Sequence, residues 1–130
     1  MKNLLYLFSA LCLLVSCSDD SEELQNYTSF IVSIDDPQTF SNCIAAHKKD
    51  NVFYKIADLG DLTRGTFSPE IIVEDKTVKE VYIFTDFNGT VRSNIIFTLK
   101  NNVKNQFIVP YGTRGISVED RNDPEQYPQS

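Results

Sequence analysis

The sequence predicts an all-β fold, an antiparallel β-sandwich of about seven strands. Three observations carry that expectation. Apolar residues recur in short stretches bounded by Asp, Asn, Gly and Pro, at roughly ten residues per stretch plus separator. Beyond the leader, no long stretch repeats its apolar residues at helical spacing. Asn88-Gly89 supplies the positive φ angles that a two-residue type I′ hairpin demands. With 130 residues, 42% of them apolar and 23% charged, the chain fits one domain with one core. Nine Phe and six Tyr against only five Gly and five Pro mark a packed chain, not a disordered one.

The first element in order is a leader. Lys2 precedes an apolar run from Leu4 to Val15, interrupted only by Ser9. As a helix this run would extend about 18 Å against a hydrocarbon core of about 30 Å, so it reads as the apolar part of a signal peptide and not as a span. Leu14-Val15-Ser16-Cys17 resembles the bacterial lipoprotein lipobox, in which small residues precede a Cys that is acylated and left as the first residue after cleavage. The resemblance implies a signal peptide at 1–16 and a lipid on Cys17. Residues 17–25 form a tether in which Ser18-Asp19-Asp20-Ser21-Glu22-Glu23 places four carboxylates in six residues, a solvated stretch by composition. This stretch also resembles the Ser-Asp-Asp-type export signal that follows the lipidated Cys in Bacteroidota lipoproteins. Ser18, Asp19 and Asp20 would then be the signal, and the protein would be anchored in the outer membrane and displayed on the cell surface.

The domain itself is expected at 26–111. Strands are predicted over 27–34, 40–48, 52–59, 67–74, 79–87, 91–100 and 105–110, separated by Asp35-Asp36-Pro37, Lys49-Asp50-Asn51, the 61–65 segment, Asp75-Lys76, Asn88-Gly89 and Asn101-Asn102. Pro69 has no backbone N–H to give a ladder, which assigns the fourth strand to an edge or a bulge. With Asn88 and Gly89 as the loop, Tyr82 faces Ile95, Phe84 faces Ser93, Val81 faces Ile96 and Ile83 faces Asn94. One face then carries Tyr82, Phe84, Val91, Ile95, Phe97 and Leu99, the expected core face. The reverse face holds Arg92, Asn94, Thr98 and Lys100 as water-facing residues should, together with Val81, Ile83, Phe87 and Ile96. Those four are either covered by another segment such as the C-terminal stretch, or they form an apolar patch for a partner. From 112 to 130 the chain turns polar and is expected to be a loose tail, apart from a short pairing near Ile116-Ser117-Val118.

Leu62-Thr63-Arg64-Gly65-Thr66 resembles the Leu-x-x-Gly-Thr crossover of fibronectin-type sandwiches, with Phe67-Ser68 where a Tyr is usual. The resemblance implies topology alone, and an immunoglobulin-like or transthyretin-like arrangement is expected. The formal net charge is −6, and it becomes −7 once Lys2 leaves with the signal peptide. That sign opposes nucleic-acid binding, which needs clustered cations.

Few residues offer chemistry. The lipobox resemblance implies that Cys12 leaves with the leader and Cys17 takes the lipid, so Cys43 would be the only thiol of the mature domain, with no intrachain disulfide possible, and is expected to be a small buried hydrophobe and not a reactive group. Cys43 and His47 on one strand would stand roughly 13 Å apart, beyond the reach of a thiolate–imidazole pair. Asp86-Phe87-Asn88-Gly89 contains the Asp-x-Asn-Gly of calcium loops, but Phe84 and Ile95 stand where ligands would be needed, so the hairpin explains it. Asp58, Asp61 and the Asp35-Asp36 pair could meet at one end of a sandwich, though loop carboxylates are ordinarily just solvated. Tyr27, Tyr54, Tyr111 and Tyr127 could stack on a sugar, or could be ordinary strand-end residues. The two sequons, at Asn26 and Asn88, read as turn chemistry in a bacterial lipoprotein.

The expectation is a lipid-anchored outer-membrane protein that binds a protein or glycan partner as a non-catalytic accessory module, with no metal and no cofactor. The rivals are a small thiol-dependent enzyme using Cys43 and a dedicated glycan-binding module.

Overall fold

A computed structural model describes residues 24–130. Cys17, Ser18, Asp19 and Asp20 lie outside the described residues. Eight strands follow one another: β1 (Thr28–Ile34), β2 (Phe40–Lys49), β3 (Val52–Leu62), β4 (Ile71–Val73), β5 (Glu80–Phe87), β6 (Thr90–Thr98), β7 (Lys104–Val109) and β8 (Ile116–Ser117). They form a sandwich of a three-stranded sheet, β4-β1-β7, and a five-stranded sheet, β3-β2-β5-β6-β8. Seven of the eight coincide with expected strands, and β8 is the expected short pairing. β4 is the most shortened, and Pro69 explains why. The chain before it cannot donate a full ladder, so Ser68 substitutes: its N–H donates to the Val32 carbonyl at 2.7 Å and its hydroxyl accepts from the Val32 N–H at 3.0 Å. As Pro69 requires, β4 is an edge strand.

The pairing departs from a wholly antiparallel sandwich at one place. β1 and β7 run parallel, with Ser29 opposite Lys104 and Ile34 opposite Val109. An immunoglobulin order would put the second and third strands in opposite sheets, whereas β2 and β3 form a hairpin within one sheet. The immunoglobulin-like alternative is thus corrected. The observed order puts the second strand between the third and fifth and the first between the fourth and seventh.

The β5–β6 hairpin corrects the expected faces. Near the turn the register is the expected one, with Phe87 opposite Thr90, Asp86 opposite Val91 and Thr85 opposite Arg92. Asn88 and Gly89 both take positive φ there, as the turn requires. Between the Thr85–Arg92 and Ile83–Ile95 pairs β6 then carries one residue more than β5, a bulge that moves every later partner by one. Ile83 consequently faces Ile95, Tyr82 faces Ile96 and Val81 faces Phe97. Val81 and Ile83 therefore join Ile95 and Leu99 inside the sandwich, against Phe30, Val32, Ile34, Phe107 and Val109 of the smaller sheet. Phe107 stacks between Phe30 and Phe97 at ring separations of 5.5 and 4.6 Å. Each such side chain contributes about 1.5–3 kcal/mol by leaving water.

Tyr82, Phe84 and Val91, expected in this core, lie instead in a second cluster with Ile44, Ala46 and Phe53 on the outer face of the larger sheet. What makes that face a core is the C-terminal segment, which is not the loose tail its polar composition suggests. At Gly115 (φ +68°) the chain turns so close to β6 that a Cβ would collide with the Ser93 carbonyl oxygen. β8 then pairs with Arg92 and Ser93. The remainder crosses the sheet to its far edge, where the Lys55 N–H donates to Gln129 O and the Phe53 N–H to Pro124 O, at 3.0 and 2.8 Å. On the way Val118 and Tyr127 pack over the cluster.

A buried carboxylate fixes the loop that leads into this strap. Asp36, 1% exposed, accepts from the N–H groups of Gln38 and Gly112 and pairs with Arg114 at 3.3 Å. The backbone donors, Gln38 first and then Gly112, outweigh desolvation and with Arg114 hold its pKa below the ordinary 3.8. A depressed folded-state value means that Asp36 stabilises the fold above the unfolded-state pKa and loses that contribution as pH falls through the lower folded value. Asp36→Asn is therefore expected to lower the melting temperature near neutrality and to flatten the decline of stability below about pH 4. Thermal melts between pH 2.5 and 7, beside the exposed Asp35→Asn, check this. Equal effects of the two substitutions would contradict it.

Candidate functional site

A cleft of about 390 Å³ lies between the five-stranded sheet and the C-terminal strap. It exists because β2 is irregular where it meets β3: the pairing shifts on both sides of Cys43, Asn42 adopts φ +52° and Gly60 opposite has φ +73°. The Asn42 N–H turns out of the ladder to donate to Asp61 Oδ1 at 3.1 Å. Ile44, Phe84 and Val91 give the cleft an apolar lining, Asp58, Asp86 and Arg121 a charged one, and Tyr127 belongs to the strap. Arg121 reaches Asp86 across 3.8 Å, joining the strap to β5, and the Tyr127 ring meets Phe84 edge-on at 6.1 Å. An arrangement of one guanidinium paired with a carboxylate beside an apolar lining can hold a small amphipathic group, and it lacks an activated nucleophile.

Cys43 lies against this cleft but belongs to the core. It is 1% exposed, and its thiol donates to the Phe40 carbonyl at 3.3 Å. Burial pushes its pKa up to about 11, against weaker lowering by Thr85 and the Leu62 backbone. A thiol so held is almost entirely protonated at neutral pH and is a poor nucleophile. His47 is four residues further along β2, stacked on Tyr54 at 5.6 Å, and no Cys–His pair forms.

The loop carboxylates do not converge. Asp35 pairs with Arg64 at 3.2 Å, Asp36 with Arg114, and Asp58 with Lys55 at 3.1 Å, while Asp61 accepts from Asn42. Among the described residues no group of three or more His, Cys, Asp or Glu is placed to hold a metal ion. Of the four tyrosines, Tyr27, Tyr54 and Tyr111 are exposed, and Tyr127 is taken up by the strap.

The partner patch expected on β5 and β6 is corrected. Val81 and Ile83 are fully buried in the core, Phe87 is half-buried against Phe40 and under Arg114, and only Ile96, 45% exposed, reaches solvent. The bulge separates Ile96 from Val81 and Ile83, so these residues share no surface. Exposed apolar side chains occur instead on the smaller sheet, at Ile72 of β4 and Ile108 of β7. Two functional features escaped sequence reasoning, the Asp36 clamp and the strap. An aspartate between turn residues and a Tyr in a polar tail are the only local signals of either.

No protein-family model, curated protein or solved structure matches this chain.

Proposed function

We propose that the protein is a lipid-anchored outer-membrane surface protein, acylated on Cys17 and exported through Ser18-Asp19-Asp20, whose sandwich works as a non-catalytic binding or accessory module for a protein or glycan partner. The observation that carries the non-catalytic part is the state of Cys43, a thiol sealed in the core and held to a backbone carbonyl. The groups best suited to chemistry are likewise engaged in holding the fold: Asp36 locks two loops together, and Asp86 pairs with the strap through Arg121. Binding then falls to the cleft under the strap and to the exposed apolar residues of the smaller sheet.

Thiol labelling of the acylated protein tests the reading. In the native state Cys43 is expected to react at least about a hundredfold more slowly than a free thiol, and to react fully once the chain is unfolded in urea. Rapid labelling of the folded protein would favour the thiol-enzyme alternative. The anchor is tested separately, by mass spectrometry of the N-terminus. Cys17→Ala is expected to release the protein from the membrane, and unchanged retention would refute the acylation.

A further inference from the structure

Beside the cleft under the strap lies a second recess, a shallow groove of about 550 Å³ at the end of the sandwich where β2 begins and the β5–β6 turn stands. The two adjoin through Asn42 and Asp86, which line both, and together form one depression. Its cleft half has a floor of Ile44, Phe84 and Val91, with the half-buried Tyr127 ring beside it. Its groove half is lined by Gln38, Thr39, Ser41, Asn42 and Asn88, with the half-buried Phe87 ring among them.

The backbone of the groove half is fixed while its side chains stay unengaged. The Gln38 N–H donates to the buried Asp36 at 2.9 Å, the Asn42 N–H donates to Asp61 at 3.1 Å, and Asn42 and Asn88 both hold φ +52°. Among the described residues the side chains of Gln38, Thr39, Ser41, Asn42 and Asn88 have no hydrogen-bond partner, although each amide and hydroxyl can both donate and accept. Every charged side chain lining the depression is already in an ion pair, Asp86 with Arg121 at 3.8 Å and Asp58 with Lys55 at 3.1 Å. A charged ligand would meet both signs there, whereas a neutral one disturbs neither pair. The large exposed apolar side chains that would anchor a protein partner all lie elsewhere.

We propose, resting on the binding-module reading above, that this depression binds an uncharged glycan, one sugar residue in the cleft and the next in the groove. A sugar ring has a C–H face that packs on apolar and aromatic side chains, and a rim of hydroxyls that each donate and accept; the depression offers the complement of both. In the cleft the ring lies on Phe84 and Val91, and its hydroxyls donate to Asp58 and Asp86, whose ion pairs each use Oδ2, and accept from Arg121. In the groove the next residue exchanges hydrogen bonds with the amides of Asn42 and Asn88 and with Gln38 and Thr39. Recesses of about 390 and 550 Å³ fall within the roughly 300–1,000 Å³ of small-molecule sites. Since the Asp36 clamp and the hairpin turn already hold the groove's backbone, binding has few groups left to order.

The test uses the full acylated protein in phosphatidylcholine nanodiscs and saturation-transfer NMR on uncharged probes, namely cellotetraose, mannotetraose, maltotetraose and chitotetraose, beside the charged tetragalacturonate and glucosamine tetramer. At least one uncharged probe is expected to receive saturation, and Asn42→Gly with Asn88→Gly is expected to weaken its binding about tenfold. Glycine keeps both positive φ values, so the melting temperature should hold. Where it does not, Gln38→Ala with Thr39→Ala, both exposed, provides the same comparison. Tyr54→Ala and Tyr111→Ala, outside the depression, should leave binding unchanged. If no uncharged probe receives saturation while Cys43 stays protected from labelling, the glycan assignment is overturned and the binding-module reading stands with a protein partner. Binding that survives the paired substitutions, or tighter binding of a charged probe, overturns the assignment too. Cleavage of any probe overturns both readings.

Discussion

Ile83→Asp is expected to cost at least about 4 kcal/mol, the largest effect of any single substitution considered. Ile83 is fully buried between the sheets, opposite Ile95 and among Val81, Ala45 and Val109. The substitution forfeits about 2–3 kcal/mol of apolar burial and strands a carboxyl group where nothing donates to it. Since domains of this size are stable by only about 5–15 kcal/mol, the loss removes about a quarter of the stability or more. Ile96→Asp, on the solvent side of the neighbouring strand, is expected to shift stability by less than about 0.5 kcal/mol. Urea melts of the two variants beside the natural protein give the comparison. If Ile83→Asp melts with the natural protein, the placement of Val81 and Ile83 inside the sandwich is wrong and the binding patch returns.

Removing residues 119–130 comes second, with an expected loss of at least about 3 kcal/mol. The segment carries Tyr127, which lies edge-on to Phe84, and the backbone pairs that tie Phe53 and Lys55 to Pro124 and Gln129. Without it Ile44, Phe53 and Phe84 lose their cover and the β3 edge loses its partner, which invites pairing between copies. The truncated chain should bind a hydrophobic dye and aggregate on warming. Tyr127→Ala should reproduce much of the loss, because the ring and not the polar remainder covers the cluster. A truncated chain that melts like the natural one would show the strap to be ornamental, and the cleft beneath it would then be open surface.

The candidate site was far less legible in the sequence than the strands were. Asn88-Gly89 announced its hairpin and Pro69 announced an edge strand, because those residue types act on their own backbone. Cys43 is buried, as expected of a small hydrophobe. The cleft, by contrast, arises from register shifts around Cys43 and from a tail that folds back over the sheet. Neither follows from spacing: Asn42 and Gly60 are residue types that take positive φ, but nothing local tells that β2 and β3 shift register beside them.

The sequence by itself determined where the strands lie, that no helix is needed among the described residues, and which turn joins β5 to β6. These are consequences of local sterics and of residue order, which a chain carries before it folds. Only the tertiary structure decided which face of each strand is inside, that β1 and β7 pair in parallel, and that Asp36 is buried. In a strand the side chains alternate with a period of two, so one extra residue in β6 was enough to exchange core and surface along the rest of the hairpin. A bulge of that kind is selected by the total area buried between sheets and under the strap, a sum over residues far apart in the chain.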